Sequence, residues 1–129
     1  MQAGSKDPAL KKMEKFVAES IVEKYFEKIS RIPRLSMYEK EVSDYVFSLA
    51  KSFAYPARQD ELYNVVVFMK ATKGYEDRAA VMLQAHLDMV GVCKAGSFHD
   101  FTKDPLSLYV DEKDNIVAKR SEEHTSELQ

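Results

Sequence analysis

Apolar residues recur at three- and four-residue spacing early in the chain, at Leu10, Met13, Val17, Ile21, Tyr25 and Ile29, with Val22 and Phe26 widening the stripe. That period places them on one face of an amphipathic helix. Asp7 followed by Pro8 predicts its start, as a side-chain cap and then a residue whose missing N–H costs nothing in the first turn. Ser20 predicts a bend or break, and Pro33 an end, because a proline pushes the residue before it out of the α region. Ser36 and Glu39 have capping-box spacing, each side chain able to satisfy a free N–H of the other's turn. Behind them Val42, Tyr45, Val46, Leu49 and Phe53 share a face, so a second helix is predicted to run to about Ser52.

The period then changes. Leu62 and the run over 65–69 are apolar and rich in β-branched residues, which predicts a strand, with a short one before it over 57–59. Gly74 lies in a polar connection. Residues 79–85 are a second apolar run, short enough to be a buried strand. A long loop through Gly91, Gly96 and Pro105 leads to two short strands, 106–110 and 115–118, joined by the charged turn 111–114. The fold class predicted is α/β: two leading helices, then a mixed sheet. No repeat or low-complexity stretch interrupts it.

Composition narrows the setting. At 129 residues the chain suits one domain with a modest core. The apolar run over 65–69 is far too short to span a bilayer, and the polar residues 1–7 offer no secretory leader. One cysteine, Cys93, forms no internal disulfide and reads as a packed or loop thiol. A soluble cytoplasmic domain is expected. The formal net charge is -2; without the last ten residues, which hold one Arg and three Glu, eighteen basic and eighteen acidic residues remain. That balance argues against a nucleic-acid or membrane-surface partner, which would need clustered Lys and Arg.

The sharpest candidate chemistry is His86 with Asp88. Residues two apart in an extended segment project to the same side, and strand ends in open α/β sheets are where ligands collect. An imidazole there could bind zinc, with the carboxylate holding it in place. As a bare pattern His-x-Asp is a weak signal, and a hydrogen-bonded histidine at a strand end beside a helix-capping aspartate is the commoner reading of it.

The surrounding residues add a resemblance. Val81-Met82-Leu83-Gln84-Ala85-His86-Leu87-Asp88-Met89-Val90 resembles the first metal-site motif of the dinuclear zinc peptidases related to aminoacylase and carboxypeptidase G. Within that clan it is most similar to the cytosol non-specific dipeptidases, also called aminoacyl-histidine dipeptidases or peptidase D. Four more stretches resemble that family in the same order: 26–34, 41–45, 58–62 with Asn64 and Val65, and 99–106. The resemblance covers roughly 25–119. It implies that His86 is a ligand to one of two zinc ions and that Asp88 orients the site without binding metal. No chemical role transfers to His99, Asp100 or Asp104, which read as a structural loop. Tyr63 and Ala85 stand where family members commonly have glycine, and a tyrosine is a poor occupant of a left-handed turn.

The family continues after the strand at 115–118 into a Gly-rich stretch whose Asp bridges the zinc ions. A Glu-Glu pair, another Asp and a distant His follow. None of these occurs here. Residues 120–129 read instead as the translation of AGA TCG GAA GAG CAC ACG TCT GAA CTC CAG, a widely used sequencing-library adapter. Residues 1–119 are therefore expected to be the N-terminal part of a metallopeptidase catalytic domain, and 120–129 a non-native tail; a genuine tail would have Ser121 capping a short helix. A catalytic zinc needs about three protein ligands. The chain as written is accordingly expected to be inactive, as a fragment of an enzyme that hydrolyses dipeptides, of Xaa-His type and broader, with metal-activated water. A homodimer of the full-length parent is also expected. Two alternatives stay open: a natural short non-catalytic binding or regulatory protein of this fold, or another clan member such as an aminoacylase or tripeptidase.

Overall fold

The computed structural model describes residues 7–93, 95–96, 98–119 and 125–126. It is a mixed α/β chain of three helices and two small sheets. The element order is α1 (Pro8–Glu19), α2 (Ile21–Ser30), α3 (Lys40–Ser52), β1 (Ala57–Gln59), β2 (Val65–Val67), β3 (Ser107–Val110), β4 (Ile116–Lys119) and β5 (Thr125–Ser126). It divides into two compact units, residues 1–33 with 91–129 and residues 34–90. Among the described residues no helix is long and apolar enough to cross a membrane.

In the first unit the Asp7 carboxylate accepts from the Ala9 N–H at 3.0 Å and Pro8 opens α1, as their order predicts. The expected break falls at Ser20, whose extended backbone (φ -133°, ψ 132°) ends α1 and whose hydroxyl caps α2 at Glu23 N–H, 3.5 Å. β3 pairs antiparallel with β4, joining Leu108 to Ala118 and Val110 to Ile116, and β4 pairs antiparallel with β5. Met13 on α1 packs with Leu108, Val110 and Ala118 of this sheet, flanked by Phe16, Val17, Leu106 and Ile116. Burying one such side chain contributes about 1.5–3 kcal/mol, so the apolar face of α1 and the inward positions of the hairpin hold each other. Of the tail, 125–126 form β5; the cap expected at Ser121 lies outside the described residues.

In the second unit α3 packs on the antiparallel pair β1–β2, whose register joins Ala57 to Val67 and Gln59 to Val65. Val42, Ser43 and Ala50 are its buried positions on the helix. Ser43 is polar and fully buried. It is satisfied twice over: its Oγ donates to the Tyr63 carbonyl at 2.6 Å and accepts from Gln59 Nε2 at 2.7 Å.

Three sequence expectations are corrected in this unit. The capping box does not form. α3 starts at Lys40 with no side-chain cap, because residues 35–38 make a tight turn with Met37 at φ 76° and the Tyr38 N–H on the Leu35 carbonyl at 2.8 Å. Glu39 accepts from the Met37 N–H instead, and the Ser36 hydroxyl points elsewhere. Residues 79–85 form no strand, and their side chains are exposed. A strand needs a ladder partner, and among the described residues none lies beside this run; pairing begins only at Met89, which bridges Leu35 in parallel sense. Tyr63 does take up the left-handed conformation that disfavours it, φ 64°. Asp60 holds that turn by accepting from Leu62 N–H at 2.9 Å, Asn64 N–H at 2.8 Å and Asn64 Nδ2 at 2.8 Å.

Candidate metal-site histidine and its carboxylate

His86 follows the unpaired run, and Asp88 begins the stretch where the backbone is held again. The Met89 N–H donates to the Arg34 carbonyl at 2.8 Å, and Arg34 Nη1 donates to the Leu87 carbonyl at 3.2 Å. With the Leu35–Met89 bridge, the tripeptide Arg34-Leu35-Ser36 lies along Leu87-Asp88-Met89. Asp88 is thereby anchored on both flanks, by a backbone bond at Met89 and by the Arg34 side chain at the Leu87 carbonyl.

The two candidate residues are brought together. His86 Nδ1 lies 2.9 Å from Asp88 Oδ1 and 2.9 Å from the Asp88 backbone carbonyl. Both neighbours are acceptors, so Nδ1 carries a proton, and in the neutral form of the ring Nε2 keeps the lone pair. The other carboxylate oxygen, Oδ2, accepts from the Ser36 hydroxyl at 2.5 Å. The Ser36 hydroxyl first, and the His86 ring second, hold the Asp88 carboxyl below its usual range. Burial pushes the Arg34 guanidinium down from its ordinary value, and the negative charge of Asp88 acts against that. The His86 side chain is 84% exposed and that of Asp88 33%, so the ring stands in solvent while its carboxylate is partly sheltered.

This donor set fits one part of a zinc site. A ring held by a carboxylate on one nitrogen, with the lone pair on the other, is how a metal-ligating histidine is oriented. A complete shell is not assembled: among the described residues no group of three or more His, Cys, Asp or Glu side chains converges. The loop at 99–104 has no such arrangement. Asp100 accepts from the Thr102 N–H at 3.0 Å and the Thr102 hydroxyl at 2.5 Å, and its own N–H donates to Asp104 Oδ2 at 3.0 Å, which closes a turn. His99 packs edge-on to Phe101 at 4.5 Å. Cys93 is half-buried.

Sequence reasoning did not find Ser36 and Arg34 as neighbours of this pair. They precede Asp88 by more than fifty positions, and Ser36 carries a local pattern that reads as a helix cap.

No protein-family model matches the chain. The cytosol non-specific dipeptidase of Escherichia coli strain K12 is 41% identical to it over 86 residues, which are 67% of this chain and 18% of that protein. The crystal structure of aminoacylhistidine dipeptidase from Vibrio alginolyticus superposes with a TM-score of 0.69 at 36% identity, covering 76% of this chain and 20% of that one. The chain thus spans about a fifth of the length of the relatives it matches. Over the matched residues, by sequence and by fold, this chain resembles the cytosol non-specific dipeptidases.

Proposed function

We propose that the chain carries one zinc-ligating corner of a dipeptidase active site, with His86 Nε2 as the ligand and Asp88 as the residue that orients it. The observation supporting this most is the placement of two acceptors of Asp88 on His86 Nδ1, which leaves the outward nitrogen as the metal-facing one. Zinc, when bound, polarises the scissile carbonyl and lowers the pKa of a bound water. The contribution of this chain is narrower: His86 donates its lone pair, and Asp88 fixes the tautomer and offsets the positive charge gathered on the ring.

The substrate in this reading is a dipeptide, of Xaa-His type and broader, and the enzyme is the longer protein. Both matched relatives are named dipeptidases, which favours this over an aminoacylase or tripeptidase. Residues 1–119 belong to the catalytic domain of that protein, residues 120–129 are foreign to it, and the full-length parent is a homodimer. A cytosolic setting is part of the proposal, supported by the name of the E. coli relative. With one ligand and its orienting partner the 129-residue chain is inactive.

The test has two arms. Zinc added to the purified chain should shift the ring signals of His86 alone among the three histidines, weakly and reversibly, and the chain should not cleave an Xaa-His dipeptide. Tight binding of two zinc ions per chain, or turnover, would overturn the incomplete-site reading, and zinc that leaves His86 untouched would overturn its role as ligand.

A further inference from the structure

We propose that Ser36 is a positioning residue of this site, acting on His86 through Asp88. The proposal rests on the reading of His86 as a ligand for its purpose, though not for its geometry.

The two oxygens of the Asp88 carboxylate have separate partners. Oδ2 accepts from the Ser36 hydroxyl at 2.5 Å, and Oδ1 faces His86 Nδ1 at 2.9 Å. A carboxylate with one partner turns about its terminal torsion, which is broad and nearly two-fold. Tying Oδ2 to a hydroxyl removes that freedom and presents Oδ1 to the ring in one plane. The Ser36 bond is charge-assisted, and its length falls in the range of strong hydroxyl–carboxylate contacts.

Ser36 is itself held for this task. Its neighbours Arg34 and Leu35 lie along Leu87-Asp88-Met89, with the Arg34 carbonyl on the Met89 N–H, Arg34 Nη1 on the Leu87 carbonyl, and the Leu35–Met89 bridge between them. Immediately after Ser36 the backbone enters the left-handed region at Met37, φ 76°, where a side chain is disfavoured. This turn takes Ser36 away from the helix cap its sequence suggests. Its hydroxyl is on Asp88, and no side chain caps α3. One tripeptide therefore holds both the backbone and the carboxylate that set the ring.

The measurement is the tautomer of His86, read from the two ring nitrogen shifts of the full chain by long-range proton–nitrogen correlation at about pH 8, where an ordinary imidazole is neutral. The wild-type ring should be held as Nδ1–H. In Ser36→Ala the ratio of Nδ1–H to Nε2–H should fall about three- to tenfold, the range a single hydrogen bond supports. Ser36→Thr, which keeps the hydroxyl, should restore it. Met37→Ala, one residue on and 88% exposed, should leave it alone. Unchanged amide shifts in α3 would show that the variants keep their fold. An unaltered or sharper Nδ1–H preference in Ser36→Ala overturns the proposal.

Zinc added to the same samples separates the two readings. If the tautomer moves as expected but zinc never perturbs His86, the ligand role falls and the positioning role stands. If zinc perturbs His86 but Ser36→Ala leaves the tautomer unmoved, the positioning role falls alone.

Discussion

The ring nitrogen Nδ1 of His86 lies 2.9 Å from Oδ1 of Asp88 and the same distance from that residue's own carbonyl. One residue thus supplies two acceptors to one donor. Removing the carboxylate leaves the weaker backbone acceptor and a ring freer to turn. Asp88→Ala should therefore weaken zinc binding at His86 by about 10- to 100-fold, the usual effect of losing such an orienting partner. The zinc concentration that half-shifts the His86 ring signals checks this, with His86→Ala as the variant that shows no response.

Ser43 is the polar residue inside the second unit. Its hydroxyl donates to the Tyr63 carbonyl and accepts from Gln59 Nε2. Ser43→Ala strips the Tyr63 carbonyl of that donor in the turn where Tyr63 already sits at φ 64°. A loss of about 1–3 kcal/mol is expected, read as a lower denaturant midpoint.

Acid should act through two matching turns. Asp60 and Asp111 each accept from an asparagine four residues on, and that contact is the main reason both carboxyls lie below the ordinary value of 3.8. A depressed carboxyl means that the unfolded chain binds more protons, so stability rises with pH through this window. The contribution is complete above about 3.8 and is lost as pH falls through the lower folded values. The variant carrying Asp60→Asn and Asp111→Asn should show a shallower loss of stability below pH 4 than the wild type. Equal acid slopes in the two proteins would contradict this.

Residues 79–85 give a direct contrast between two placements. Val81, Met82 and Leu83 are 86%, 86% and 93% exposed. Leu83→Lys should then change the stability of this chain by less than about 0.5 kcal/mol. In a buried strand the same change would leave a charge without a partner and cost several times more.

Much of the local structure was legible in residue order. Asp7 and Pro8 open α1, Ser20 divides α1 from α2, and the charged turn at 111–114 joins β3 to β4. These devices work over two to four positions, within reach of one side chain and its neighbouring amides. The closeness of His86 and Asp88 was legible for the same reason, being a spacing of two.

What lay outside the sequence depends on distant partners. Ser36 has the spacing of a cap, and local rules favour that use; a carboxylate 52 residues away takes the hydroxyl instead. The run at 79–85 has the composition of a buried strand, but composition supplies no ladder partner. Tyr63 stands in a left-handed turn because Asp60 and the buried Ser43 hold that turn from both sides. The sequence by itself determined the helices, their breaks, the hairpin turn at 111–114 and the His-x-Asp pair, since short-range hydrogen bonds and apolar period are written in neighbouring residues. Only the tertiary structure decided which distant hydroxyl holds the carboxylate and which apolar run stays unpaired, because those outcomes are settled by competition between groups far apart in the chain.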